Sequence, residues 1–235
     1  MKLIKLLLVC VGIALSSQSF AGVEEDVLGK LKQNFPGIDF NGVSKTPVSG
    51  IYEVIVNKKE VIYSDEGGNY FFPTMIHMAD GKNYGELKKA ELNKIDFKSL
   101  PFKDAIKIVK GSGARKVAVF SDPDCPYCTR LESSLKSVDN VTIYLFEFPL
   151  AGLHPGATEK AISTWCSSNP AATWTAMMQE GAVPAKKTCP NPIDRNIDLA
   201  KKLGIFGTPA LIFENGMVAP GALEATAIEQ NLAKK

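Results

Sequence analysis

The junction "KVAVFSDPDCPYCTRLESSLKSV" constrains the fold of this chain more than any other stretch. An apolar run, Lys116 to Phe120, reads as a strand. A run of helical spacing begins near Cys125 and extends to about Val138. Two cysteines, Cys125 and Cys128, stand at the start of that helix with Pro126 and Tyr127 between them. Cys125 falls near the N-cap and Pro126 at the first helical position, where a missing N–H costs nothing. A helix start aims unpaired N–H groups and the positive end of its dipole at the Cys125 sulfur. That favours thiolate, the attacking species in thiol chemistry. Cys128, one turn in, is expected to be the more buried, resolving thiol. A zinc half-site and an inert local staple are the alternatives. Zinc would need a further close ligand pair. Cys166 and Cys189 are far apart in the chain, His77 and His154 are isolated, and no second CxxC exists. The redox reading is therefore favoured, with no metal and no organic cofactor expected.

The compartment follows from residues 1–21, "MKLIKLLLVCVGIALSSQSFA". Lys2 and Lys5, an apolar core from Leu6 to Leu15, and Ser19-Phe20-Ala21 form the three regions of a secretory signal peptide. The apolar run is short for a membrane span, and no second long one follows. Cleavage after Ala21 and export are expected. Removing Lys2 and Lys5 takes the net charge from +2 to zero, which leaves no basic surplus to draw nucleic acid or anionic lipid. The five cysteines become four as Cys10 is lost, and an even count in an oxidising compartment suggests pairing.

The remainder divides by periodicity. In residues 22–81, "EEDVLGKLKQNF" has helical spacing and Pro36-Gly37 stops it. "GIYEVIV" alternates, "EVIYSDEGGNYFF" reads as strand, turn, strand, and "TMIHM" as a further strand. A unit of this size is marginal alone, so it needs a partner surface. Residues 82–100 read as a helical connector between domains. From residue 101 to 235 the pattern is α/β: strands "AIKIV", "KVAVF" and "VTIYLFEF", a helical stretch from about Gly156 to Gln179, then "IDLAKKLGIFGTPALIF" as helix, Thr208-Pro209 and strand, then "MVAP" and a last helix. Thr208-Pro209 alone is an ordinary strand-entry proline, since proline cannot donate to a sheet ladder. Beside a CxxC helix, a cis bond would turn the Thr208 backbone toward Cys125, where it could pair with a substrate chain. Glu147, in "YLFEFP", is read as facing solvent or capping a loop, with a place lining an acidic cleft as the alternative.

With these motifs in hand, the chain resembles the thioredoxin superfamily. More narrowly, it is similar to the bacterial periplasmic DsbC/DsbG disulfide isomerases. The resemblance spans the whole mature chain through "VFSDPDCPYC", "STWC" with a later lone cysteine, "LGIFGTPALIF" and "NGMVAPG". It implies a thioredoxin-like fold with a helical insertion, preceded by a small α+β dimerisation domain and a linker helix. It implies catalytic roles for Cys125 and Cys128, a cis-proline substrate-binding role for Thr208 and Pro209, and a structural disulfide between Cys166 and Cys189. Pro126-Tyr127, which tunes the redox potential, is similar to the DsbG dipeptide, whereas length and linker look more like DsbC. The implied protein is a periplasmic homodimer that reshuffles wrong disulfides in misfolded exported proteins and is kept reduced by a membrane donor of DsbD type. A disulfide-donating oxidase, a DsbG-like reductant of oxidised single cysteines and a holding chaperone remain as rivals.

Overall fold

The computed structural model describes residues 22–234. The expected signal peptide and Cys10 lie outside the described residues. The chain forms two compact units, dividing between Gly85 and Glu86.

The first unit opens with α1 (Val23–Asn34), whose first turn carries Glu24, Glu25 and Asp26, the sign that the helix dipole favours there. Val27 and Leu31, one turn apart, bury its inner face. A four-stranded antiparallel meander follows: β1 (Phe40–Lys45), β2 (Ile51–Val56), β3 (Glu60–Asp65) and β4 (Phe71–Phe72). Along β2, alternation puts Tyr52, Val54 and Val56 against α1, with Phe40, Val27 and Leu31 completing the core. β1 is absent from the expectation above. Its "FNGVSK" holds Asn41 and Gly42, and its pairing with β2 shifts register between Phe40 and Gly42. Both features blunt a period-two signal. A two-stranded ribbon, β5 (Ile76–His77) with β6 (Lys82–Asn83), precedes α2 (Tyr84–Leu92).

The expected 82–100 connector helix is realised only over those nine residues of α2. Beyond it, Phe97 and Leu100 are buried in the core of the second unit, where the Phe97 ring packs on Phe102 and Tyr144. That unit is built on a mixed five-stranded sheet. Its strands are β7 (Ile106–Lys110), β8 (Arg115–Ser121), β9 (Val141–Glu147), β10 (Ala210–Phe213) and β11 (Val218–Pro220), ordered β11-β10-β8-β9-β7. Only β8 and β9 run parallel, joined through α3 (Pro126–Leu135). The helical stretch near 156–179 is two helices, α4 (Ala157–Trp165) and α5 (Pro170–Glu180). Pro170 starts the second, capped by the Asn169 side chain, and Gly181 ends it at φ 71°. Helices α6 (Ile193–Lys202) and α7 (Ala225–Leu232) complete the unit.

Alternation along β8 and β9 separates two cores. Val117, Val119, Ile143 and Leu145 face α3, α5 and α7, meeting Cys128, Leu131, Trp174 and Ile228. Ala118, Phe120 and Phe146 face the other way, toward Phe97, Ala200 and Ile205. Cys125 and Cys128 belong to the first of these faces.

Candidate functional site

Three segments meet at the C-terminal ends of β8 and β9. β8 ends at Ser121, and the next four residues lead directly into α3. Cys125 is the N-cap of that helix, with extended backbone angles, and Pro126 occupies its first turn. The Cys125 carbonyl accepts from the N–H groups of Cys128 (3.0 Å) and Thr129 (3.2 Å). The third segment is Thr208-Pro209, a cis peptide that leads into β10. The Cys125 thiol points at the Thr208 carbonyl oxygen, 3.5 Å away. This is the juxtaposition that the Thr-Pro motif suggested. Tyr127, between the cysteines, is 63% exposed.

Both cysteines of the pair are free thiols. Cys125 keeps slight exposure, 5%, and Cys128 keeps none. Burial pushes the Cys128 thiol up to about 12. The nearby Ser121 hydroxyl, the Asp122 N–H and the Thr208 hydroxyl work against that shift, while the neighbouring Cys125 adds to it. The Asp122 N–H lies 3.4 Å from the Cys128 sulfur. Neither hydroxyl makes a hydrogen bond in the structure, so the Asp122 N–H is the donor that reaches the sulfur. Cys128 is thus the enclosed thiol of the pair, with burial favouring its protonated form and one backbone N–H directed at its sulfur.

Asp122 and His154 were not singled out as site residues by the sequence reasoning. Asp122 is fully buried. Its Oδ1 accepts from the Asp124 N–H at 2.7 Å, and its Oδ2 accepts from the Leu150 N–H at 2.6 Å and faces His154 Nδ1 at 3.0 Å. One carboxylate therefore ties the loop before α3 to the loop after β9, while its own backbone addresses Cys128. Asp124 in turn pairs with Lys160 of α4. The available signal was the cluster Ser121-Asp122-Pro123-Asp124, directly after an apolar strand.

Glu147 corrects the sequence reading. It neither faces solvent nor lines an open cleft. It is 1% exposed, and burial pushes its carboxyl well above the ordinary carboxylate range. Neither carboxyl oxygen has a partner. The reason is the parallel pairing of β8 and β9, which sets Glu147 beside Ser121 on the face that α3 covers. Cys166 ends α4 and is joined to Cys189 by a disulfide, with Cα atoms 5.7 Å apart.

Comparison with known proteins bears directly on this arrangement. Residues 102–235 match the thioredoxin-like domain, and residues 18–86 match the N-terminal domain of disulfide bond isomerase proteins. The probable thiol:disulfide interchange protein DsbC of Bordetella pertussis is 34% identical over 204 residues, which cover 86% of this chain and 72% of that protein. The chain belongs to the DsbC family of thiol:disulfide interchange proteins. The Escherichia coli member is 27% identical over 192 residues, covering 79% of this chain and 78% of that one. A crystal structure of a disulfide interchange protein from Neisseria gonorrhoeae is 41% identical. It covers 57% of this chain and all of that one, with a TM-score of 0.55. The architecture expected of a DsbC-family chain, an α/β thioredoxin-like domain behind a small α+β N-terminal domain, is the one described above.

Proposed function

We infer that the chain is a periplasmic protein disulfide isomerase and reductase that acts through Cys125 and Cys128. The observation that carries this reading is the asymmetry of the pair. Cys125 stands at a helix start against the Thr208 carbonyl with some exposure, whereas Cys128 is enclosed and its thiol is pushed up to about 12. Cys125 attacks a wrong disulfide and forms a mixed disulfide. The freed substrate thiol then attacks elsewhere and reshuffles, or Cys128 resolves the complex and leaves the enzyme oxidised. The oxidised pair is returned to the dithiol by a membrane donor of DsbD type. No metal or organic cofactor takes part.

The substrates are misfolded, disulfide-containing exported proteins. Exposed Tyr127, Phe206 (two residues before Thr208) and Leu153 (in the loop that Asp122 holds) suit an unfolded, partly apolar chain. The N-terminal unit serves as the dimerisation module. Its short, exposed β4 strand leaves a sheet edge that a second copy would cover. Among the described residues no helix is long and apolar enough to cross a membrane. The decisive assay gives the mature protein a scrambled multi-disulfide substrate and follows recovery of native activity. Recovery beyond that from simple reduction supports an isomerase. An oxidase would instead carry the Cys125–Cys128 pair oxidised in periplasm-extracted protein and leave the scrambled substrate unrepaired. Sedimentation of the mature protein as a monomer would remove the dimer from this reading.

A further inference from the structure

Residues 103–107, which lead into β7 and begin it, line a trough that contains neither cysteine of the active pair. Lys103 and Asp104 border a cavity of about 250 Å³, and Ala105, Ile106 and Lys107 border a second of about 430 Å³. Half-buried Trp165, at the end of α4, borders both and joins them into one groove. The wall opposite is stiffened by proline, with Pro170 in the first turn of α5 and Pro192 at the start of α6. β7 is hydrogen-bonded to β9 alone, so its other edge faces no strand of the sheet. Five residues of extended chain span roughly 16 Å, so a strand of that length would run beside 103–107.

The charge of the trough is one-sided. Among the residues that line it the one acid is Asp104, which is buried and accepts from Arg195 Nε and Nη2. Arg195 Nη1 stands outside that pair, and the side chain is mostly exposed. Lys103 adds to the field at Asp104 but, like Lys107, is exposed and makes no ion pair among the described residues. Asn169 and Asn191 are committed to nearby backbone groups. What is left is positive charge around an aromatic and apolar floor. A lysine-bearing edge repels a second copy of itself, and the same charge draws an acidic strand.

We propose that this trough docks an acidic, extended segment of a partner protein. The segment pairs with the β7 edge as an added strand, seats an apolar side chain against Trp165 and sets carboxylates on Lys103, Lys107 and Arg195. In strand addition of this kind main-chain hydrogen bonds supply affinity, and flanking pockets and charges select the sequence. The proline-stiffened wall keeps the ordering cost of binding low. The inference is independent of the exchange mechanism, because no residue of the trough belongs to the thiol site.

The test uses the full mature protein and short fluorescent peptides that carry no cysteine. One peptide alternates Glu with Val, and a control alternates Lys with Val. By fluorescence anisotropy the Glu-Val peptide should bind at least about tenfold more tightly than the control. The double variant Lys103→Glu, Lys107→Glu changes exposed side chains alone, and it should weaken binding of the Glu-Val peptide about tenfold or more. Trp165→Ala should weaken it about fivefold by removing the apolar seat. Hydrogen exchange of the Ile106–Lys110 amides should slow when the Glu-Val peptide is bound. Reduction of a small disulfide by the double variant should stay within about twofold of wild type, since the trough is separate from the thiols. Equal binding of the two peptides, no binding of the Glu-Val peptide, or binding that survives the double variant would overturn the proposal. So would exchange of the β7 amides that stays unchanged in the complex. A changed sedimentation of the double variant alone would mean that another copy of this chain fills the trough, and it too would overturn the proposal.

Discussion

The two cysteine pairs of the thioredoxin-like unit are built for opposite ends. Cys125 and Cys128 share one helix start and are both free, and each sulfur has a donor or acceptor placed for a change of state. Cys166 and Cys189 are 23 residues apart, join the end of α4 to the segment before α6, and are already bonded to each other. A close pair at a helix terminus gains little chain entropy from being joined, but its first sulfur gains from the dipole. A distant pair offers the reverse, a loop whose closure restrains the unfolded chain. Burial runs against the simple expectation, since the reactive Cys125 and Cys128 are both buried while Cys166 is half-buried and Cys189 exposed, so it is spacing and local setting that mark the two uses.

Breaking the first pair should have the largest effect. Cys125→Ser should lower reduction and reshuffling of a scrambled substrate by roughly 10³-fold or more, the scale on which loss of an enzyme nucleophile registers. Cys128→Ser should still attack, but it should stall as mixed disulfides that accumulate on non-reducing gels. Trapping through Cys128 in the Cys125→Ser protein would reverse the assigned roles. The second pair should answer differently. Replacing both Cys166 and Cys189 by Ala should cost roughly 3 kcal/mol of stability in the chain-entropy account of a loop of this length. Denaturant unfolding would show this, while exchange activity below the midpoint should stay within about twofold. A large activity loss without a stability loss would mean that the second pair takes part in chemistry.

The sequence made the two pairs legible to different degrees. CxxC at the start of a helix carries its own mechanism, so the Cys125 N-cap and the Pro126 first turn were readable from spacing alone. The order of strands and helices after residue 101 was also readable, because each element keeps one period over several residues. What was hidden depends on pairing across the sheet. No local pattern reveals that β8 and β9 run parallel with Ser121 beside Glu147, so Glu147 read as a surface residue when it is enclosed on the thiol face. Asp122 was hidden for the same reason, since its partners Leu150 and His154 come from beyond the next strand. β1 escaped because Asn41, Gly42 and a register shift interrupt its alternation.

The smallest expected effect sharpens the structural side of the comparison. Beyond Cys189, α6 is held to the segment before β7 by one ion pair. Arg195 Nε and Nη2 donate to the two carboxylate oxygens of Asp104 at 3.1 and 2.7 Å, while Asn196 Nδ2 donates to the Asp104 carbonyl at 3.1 Å. Asp104 is buried, and the Arg195 hydrogen bonds hold its carboxyl below the ordinary range even though burial works the other way. The Arg195 side chain is mostly exposed, so solvent screening discounts the pair. Arg195→Ala should therefore lower stability by a small but measurable amount, well below the loss of the Cys166–Cys189 bridge. The sign with pH follows from the lowered carboxyl. Its contribution is fully present above the unfolded value near about 4 and fades as pH falls through the lower folded value. Urea unfolding at pH 7 and again near pH 3 should thus show the gap between wild type and Arg195→Ala shrinking in acid. A gap that stays constant or widens there would mean that Arg195 acts through packing rather than through the Asp104 charge.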